Sequence, residues 1–168
     1  MYYSIFPTQT AYISSGSHPT TGETMRDQNF GGSEVLELKK EFKTLTFDYP
    51  TRILVQFDIN ETGNSISQSI VEGKIPGPSV VGAGGAKYFL RLYETEGNKE
   101  LSEEYKLLVQ PISQSWTEGT GQFGDRPKNT NGCSWENRSN PSGGSEVSWA
   151  NAGVTVLNVS SSTQTFSN

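Results

Sequence analysis

TRILVQFDI, residues 51–59, alternates in the way that an extended strand with two unlike faces requires. Ile53, Val55 and Phe57 fall on one side of such a strand, and Arg52 begins the more polar opposite side. β-branched and aromatic residues are also the types that strands favour. The stretch therefore predicts a β-strand with one face in a core and the other partly wet.

Similar segments recur along the chain between turns rich in Gly, Pro and Ser. The polar stretch 15–29 is predicted to be a loop, 75–78 a turn, and 64–71 a short helix or turn. We expect the strands at 87–95 and 105–112 to form an antiparallel pair joined by the polar loop 96–104. Near the end, the apolar residues from Val154 to Val159 predict a final strand or a tail that orders against a partner. The other predicted strands are 2–6, 10–14 and 34–42.

The composition favours an all-β fold. With 168 residues and only 32% apolar residues, the chain fits one domain with a thin core, and its 18 Gly and 8 Pro imply many turns. We predict an antiparallel, jelly-roll-like β-sandwich in residues 1–136. Residues 137–168 form a Ser/Asn/Gly-rich extension with one candidate strand. The predicted core consists of Ile53, Val55, Phe57, Leu90, Leu92, Leu107 and Val109.

Charge and rare residues exclude several classes of protein. The net charge of −5 argues against a nucleic-acid partner, which needs clustered Lys and Arg. Cys133 is the only cysteine and His18 the only histidine, so neither an intrachain disulfide nor a zinc site of several imidazoles is expected. Neither a signal peptide nor an apolar run long enough to span a bilayer is evident. The expectation is a protein made in a cytoplasm and not inserted into a membrane.

No pattern in the sequence predicts catalysis or a cofactor. The carboxylates that could act as acids or bases have no spacing that specifies a pair, and surface positions are the usual place for such groups. Cys133 has no identifiable base beside it, and we interpret it as a small packed residue. The candidate carboxylates are Asp48, Asp58, Glu94, Glu96, Glu118 and Asp125. The chain is therefore predicted not to be an enzyme.

Calcium is the one metal for which candidate ligands exist. Oxygen atoms of Asp27, Asn29 and Glu34, or of Asp125 with nearby carbonyls, could surround a hard cation in a loop. No EF-hand spacing is present. A surface or turn role for the same residues is the alternative.

Three tryptophans, Trp116, Trp135 and Trp149, allow two interpretations. Their flat faces could stack on a sugar ring or contact a partner. Alternatively, they pack the interior or a contact between subunits, because large rings dominate burial. The packing interpretation is favoured.

The order of three stretches resembles a known family. These are NFGGSEVLEL (29–38), TRILVQFDI (51–59), and PISQSWTEGTG (111–121) followed by GCSW (132–135). The pattern is similar to that of disaggregatase-related-repeat-like β-sandwich domains, which are themselves similar to some carbohydrate-binding modules. Among these it most resembles virion structural proteins of tailed bacteriophages, especially marine and cyanobacterial ones.

The resemblance implies a non-enzymatic virion structural protein, in the capsid decoration, neck, fibre or tail. Its partners would be other virion proteins and repeated copies of itself, and it would be located in the virion after synthesis in the host cytoplasm. The family's closing strands are missing after residue 135, so the sandwich is expected to be completed by a neighbouring subunit. The alternative function is a carbohydrate-binding module that contacts host-surface polysaccharide through Trp116, Trp135 or Trp149.

Overall fold

The computed structural model describes residues 4–44, 47–58, 68–74, 89–93, 95, 104–157 and 162–167. The chain divides into two compact units. One contains Met1–Thr8 and Gln56–Gly97, and the other contains Gln9–Val55 and Asn98–Asn168. The domain boundary predicted after residue 136 stays a prediction.

Seven strands and one helical turn form the regular structure of the described residues. The helical turn spans residues 68–71. One sheet has three strands in the order β1-β3-β2, and two further sheets pair β4 with β7 and β5 with β6. The strands are β1 (Gln9–Ser14), β2 (Lys40–Thr44), β3 (Phe47–Gln56), β4 (Glu104–Val109), β5 (Asn137–Ser139), β6 (Val147–Ser148) and β7 (Ser162–Ser167). The predicted all-β class is thus consistent with the structure. None of the described helical residues belongs to a helix long and apolar enough to cross a membrane.

Local sequence signals located several elements correctly. β1 confirms the strand predicted at 10–14, and residues 15–29 form the predicted loop, apart from one isolated bridge between Ser17 and Thr24. The helical turn lies within the segment predicted at 64–71. β3 confirms the strand read from TRILVQFDI but begins at Phe47 and ends at Gln56. The turn predicted at 75–78 lies outside the described residues.

Other predicted strands were wrong in part. Residues 4–6 are not in a strand, and the strand predicted at 34–42 begins only at Lys40. Thr51 explains the second difference, because its hydroxyl oxygen accepts a hydrogen bond from the Lys39 amide at 2.7 Å and donates to the Glu37 carbonyl at 2.9 Å. The Thr51 amide still donates to the Lys39 carbonyl at 2.9 Å, so the side chain replaces only part of the strand pairing along residues 37–39.

The pairing predicted for β4 was also wrong. Its partner is β7, in an antiparallel register that runs from Glu104 opposite Ser167 to Val109 opposite Ser162. Residues 89–93, from the strand predicted to pair with it, are exposed and form no strand. The prediction chose the partner nearest in sequence, whereas β7 is a Ser/Thr-rich segment whose alternation is hidden by its polarity. The final strand accordingly lies beyond the segment predicted at 154–159.

The core is built on both sides of β1. Ala11 and Ile13 belong to a cluster with Leu54, the three tryptophans, Cys133 and Val154. Tyr12 belongs to a second cluster with Met25 and Phe30, and its ring stacks on Phe30 with 4.4 Å between centroids. Because successive side chains of a strand point to opposite faces, β1 joins the two clusters.

The predicted core residues were therefore partly wrong. Among the described side chains of β3, the buried apolar residue is Leu54, which is 2% exposed. Ile53 packs at the margin of the second cluster, and Val55 is only partly buried. Alternation could not identify the inner face because both faces of this strand are covered. Phe57 and Leu107 are half-buried. Leu90 and Leu92 lie outside any strand, and together with Val109 they are about half exposed.

We expect Leu54→Ala to lower the free energy of unfolding by about 2–5 kcal/mol, because it leaves a cavity beside the tryptophans. Leu38→Ala is the matched control. Leu38 is half exposed, so its truncation should cost less than about 1 kcal/mol. Denaturant titration followed by tryptophan fluorescence measures both. Equal losses would contradict the placement of Leu54 in the core.

Candidate functional site

A buried amide, that of Asn29, cross-links three segments of the chain. Its Nδ2 donates hydrogen bonds to the carbonyls of Glu118, at 2.7 Å, and Cys133, at 2.8 Å. Its Oδ1 accepts from the amides of Gly31, at 3.1 Å, and Gly121, at 2.8 Å. The side chain is fully buried and uses both donors and both acceptor positions. We call this set of four hydrogen bonds the Asn29 node.

Glycines allow the backbone to approach the Asn29 node this closely. Gly119 has φ +78° and Gly132 has φ +113°, conformations that L-residues with side chains rarely adopt. A Cβ atom on Gly132 would lie 2.6 Å from Asn29 Nδ2 and 2.6 Å from the Gly119 Cα atom. Both positions therefore require glycine for the conformation and for the space.

Phe30 holds the loop that carries Asn29 in place. It is fully buried and stacks on Tyr12 of β1, so the residue next to Asn29 is anchored in the second cluster. The main-chain N–H of Asn29 donates a hydrogen bond to the Asn129 carbonyl at 2.8 Å. The sequence predicted Asn29 only as a candidate calcium ligand. Its flanking Asn-aromatic-Gly-Gly order was the one signal of the role observed here.

Three of the four candidate calcium ligands have hydrogen-bond or ion-pair partners within the protein, and the fourth, Glu34, is exposed. Asn29 Oδ1 accepts hydrogen bonds from two main-chain amides, and its role as a calcium ligand stays a prediction. Asp27 pairs with Lys128 at 2.8 Å, Asp125 accepts from the Gln122 amide at 2.8 Å, and Glu34 is exposed. Among the described residues, no group of three His, Cys, Asp or Glu side chains could hold a metal ion.

The three tryptophans lie in the first cluster, where they are 5–8% exposed. Trp149 Nε1 donates to the Ser134 carbonyl at 2.8 Å. The Arg52 guanidinium lies 5.0 Å from the centre of the Trp135 ring and donates to the Gly153 carbonyl. Burial lowers the pKa of Arg52, and the electron-rich ring and the carbonyl offer the cation favourable contacts. These positions favour the packing interpretation, and a sugar contact through the rings stays a prediction.

Cys133 is completely buried, in agreement with its interpretation as a small packed residue. Burial raises the pKa of its thiol to about 12, and the charge of Glu118 acts in the same direction. The thiolate is the reactive form of cysteine, so the folded protein keeps this sulfur in its unreactive form at neutral pH.

Among the candidate carboxylates, Glu118 has a clear structural role. Its Oε1 accepts a hydrogen bond from the Thr10 amide of β1 at 2.6 Å. The carboxylate thus satisfies a backbone donor of this strand. Asp48 lies on β3, Asp58 lies just after it, and Asp125 lies in a turn. The other two candidates, Glu94 and Glu96, lie outside the described residues.

An apolar surface is the strongest candidate for a binding site. Beyond β4, Ile112 forms an isolated antiparallel bridge with Val156 and packs against the first cluster. The Ser113 amide donates to the Thr155 carbonyl at 3.1 Å, which extends the pairing further. We call residues 104–113 with 155–157 and 162–167 the ribbon. Its exposed apolar side chains are Leu108 (57%), Val109 (47%), Leu157 (41%) and Val156 (36%).

Comparison with known proteins gives no relative: no family model, curated protein or solved structure matches the chain.

We expect Asn29→Ala to destabilise the protein by at least about 3 kcal/mol, because two carbonyls and two amides, one of each fully buried and the other partly buried, lose a hydrogen-bond partner. Asn151→Ala is the control, since Asn151 is exposed. Thermal and denaturant unfolding of the two variants measure the difference. Comparable stability of both variants would contradict the structural role of the node.

We expect the Cys133 thiol not to react with a disulfide reagent at pH 8 while the protein is folded, because its raised pKa keeps it protonated and its burial excludes the reagent. Addition of denaturant should release one reactive thiol per chain. Rapid labelling of the folded protein would contradict this placement.

Proposed function

We propose that this protein is a non-enzymatic structural component of a bacteriophage particle, which docks to neighbouring subunits through the ribbon. The exposed apolar side chains of the ribbon carry this proposal. The resemblance of the sequence to virion structural proteins supports it independently.

Both faces of the ribbon bear exposed apolar residues. Leu108 and Val109 are consecutive in β4 and therefore point to opposite faces. Two-stranded ribbons are marginally stable in water unless a third strand or another layer covers them. Within the described residues β4 has one strand partner, β7, and the proposal is that a neighbouring subunit adds a further strand or surface.

One end of the ribbon packs against the hydrophobic core. Ile112 packs against the tryptophan cluster, and residues 113 and 155 are hydrogen-bonded just beyond it. A docking element that is held at its base loses less conformational freedom on binding than a free segment does. This arrangement suits a subunit that is locked into an assembly through strand edges and apolar contacts.

The same proposal includes the architecture of the assembled domain. We infer that the three-stranded sheet and the ribbon are parts of a jelly-roll-like sandwich that a neighbouring copy or another virion protein completes. The particle is then the location of the protein. We do not advance the glycan-binding alternative as a second function, because the three indoles proposed for it are almost fully buried.

We expect Leu108→Lys to weaken self-association at least about tenfold, which corresponds to about 1.4 kcal/mol. A charge in the centre of an apolar contact must be desolvated without a partner. Sedimentation over a range of protein concentrations measures the association of the wild-type chain and of the variant.

Leu38→Lys is the matched control, since Leu38 is similarly exposed and lies outside the ribbon. It should associate as the wild-type chain does. A wild-type chain that stays monomeric throughout the range, or equal weakening by both substitutions, would overturn the proposal.

A further inference from the structure

We propose that Asn131-Gly132 is a latent self-modification site, at which the Asn29 node and its surroundings prevent succinimide formation. The dipeptide Asn-Gly occurs once in this sequence. It is the dipeptide most prone to this reaction in unfolded chains, because glycine leaves its own amide nitrogen sterically accessible. The inference does not depend on the proposed function.

The reaction needs no co-reactant other than water. The Gly132 main-chain nitrogen loses its proton and attacks Cγ of Asn131, which forms a C–N bond and closes a five-membered ring. The carboxamide nitrogen leaves as ammonia after it takes up a proton. Water then adds to one of the two ring carbonyls and breaks a ring C–N bond. The product is aspartate or, when the main chain is left running through Cγ, isoaspartate.

The structure blocks the first step at the attacking nitrogen. The Gly132 amide donates a hydrogen bond to the Asn140 carbonyl at 2.9 Å, so its proton is engaged and must be released before the nitrogen can attack. The Gly132 residue is buried, which also disfavours loss of its proton. Asn131 itself is exposed, so its side chain offers no comparable obstacle.

The conformation around this bond is also fixed. Gly132 is held at φ +113° between Asn29 and Gly119, and the Cys133 amide donates to the Thr117 carbonyl at 2.7 Å. On the other side, the Asn131 amide donates to Asn129 Oδ1 at 2.9 Å. Ring closure requires rotation about the bonds of Asn131 and Gly132. It can therefore occur only when this region opens locally.

An isoaspartate at this position would prevent the region from closing again. It adds one methylene carbon to the main chain between residues 131 and 132. The carbonyl of Asn131 already lies against Gly119, where it leaves no room for a Cβ atom. The added atom must displace either this carbonyl, which lies against Gly119, or Gly132, which lies against the Asn29 side chain. A single opening could thus lead to irreversible loss of the node.

The first experiment compares the full-length folded protein with the same chain in concentrated guanidinium, at one pH and temperature. Peptide mapping by mass spectrometry measures the conversion of Asn131. We expect the folded chain to react at least about tenfold more slowly, because local opening must precede attack. Equal rates would overturn the inference.

A second arm tests whether the Asn29 node is the source of the protection. Asn29→Ser should accelerate conversion of Asn131 under native conditions, whereas Asn151→Ser should not. If Asn29→Ser does not fold, sub-denaturing concentrations of guanidinium are applied to the wild-type chain instead. Conversion should then rise before global unfolding is detectable. A rate that rises only with global unfolding, or that is unchanged in a folded Asn29→Ser variant, would overturn the role of the node.

A third arm separates the new charge from the new main-chain atom. The substitution Asn131→Asp supplies the charge alone at an exposed position, and we expect it to leave the melting temperature almost unchanged. The isoaspartyl fraction isolated from aged protein should melt clearly lower. If the two species melt alike, the extra atom is tolerated and the proposed consequence is wrong.

Discussion

The buried amide of Asn29 is the interaction on which the organisation of this chain depends. It holds together the loop before β2, the segment around Glu118 and the segment around Cys133. Each of these segments carries a buried or partly buried backbone group whose partner is the Asn29 side chain. A buried polar group is costly when it is left unpaired and acceptable when every bond is made. In the Asn29 node every donor and acceptor of the side-chain amide has a partner, so its burial is acceptable.

The composition explains why such a node is needed. With 32% apolar residues, the chain has little material for an extended hydrophobic interior. Its apolar side chains are concentrated instead on both sides of β1. The loops beyond them are held by directed hydrogen bonds, and Phe30 joins the two systems because it is buried next to Asn29. Burial of apolar side chains holds β1 in place, and hydrogen bonds to the Asn29 side chain hold the loops in place.

The sequence predicted structural features that depend on residues close together in the chain. Its predictions were wrong where contacts between distant segments determine the structure. The alternation in residues 51–59 located β3, and the polar composition of residues 15–29 located a loop. The same alternation pointed to the wrong inner face, because it cannot register that Leu54 and Ile53 are covered from opposite sides. The pairing of β4 with β7 was missed since a Ser/Thr-rich strand has no apolar period. The Asn29 node was missed because its partners are backbone groups, which every residue possesses.

The Asn29 node and the exposed ribbon both follow from the small share of apolar residues in this chain. Within the unit that contains both, the tryptophan cluster buries Ile112 at the base of the ribbon, while Leu108 and Val109 remain exposed further along β4. A chain that stabilises its loops by hydrogen bonds can leave such residues free for contact with another protein. Their exposure is costly in an isolated chain and is reversed when a partner covers them. This difference in free energy is what would drive the chain into an assembly.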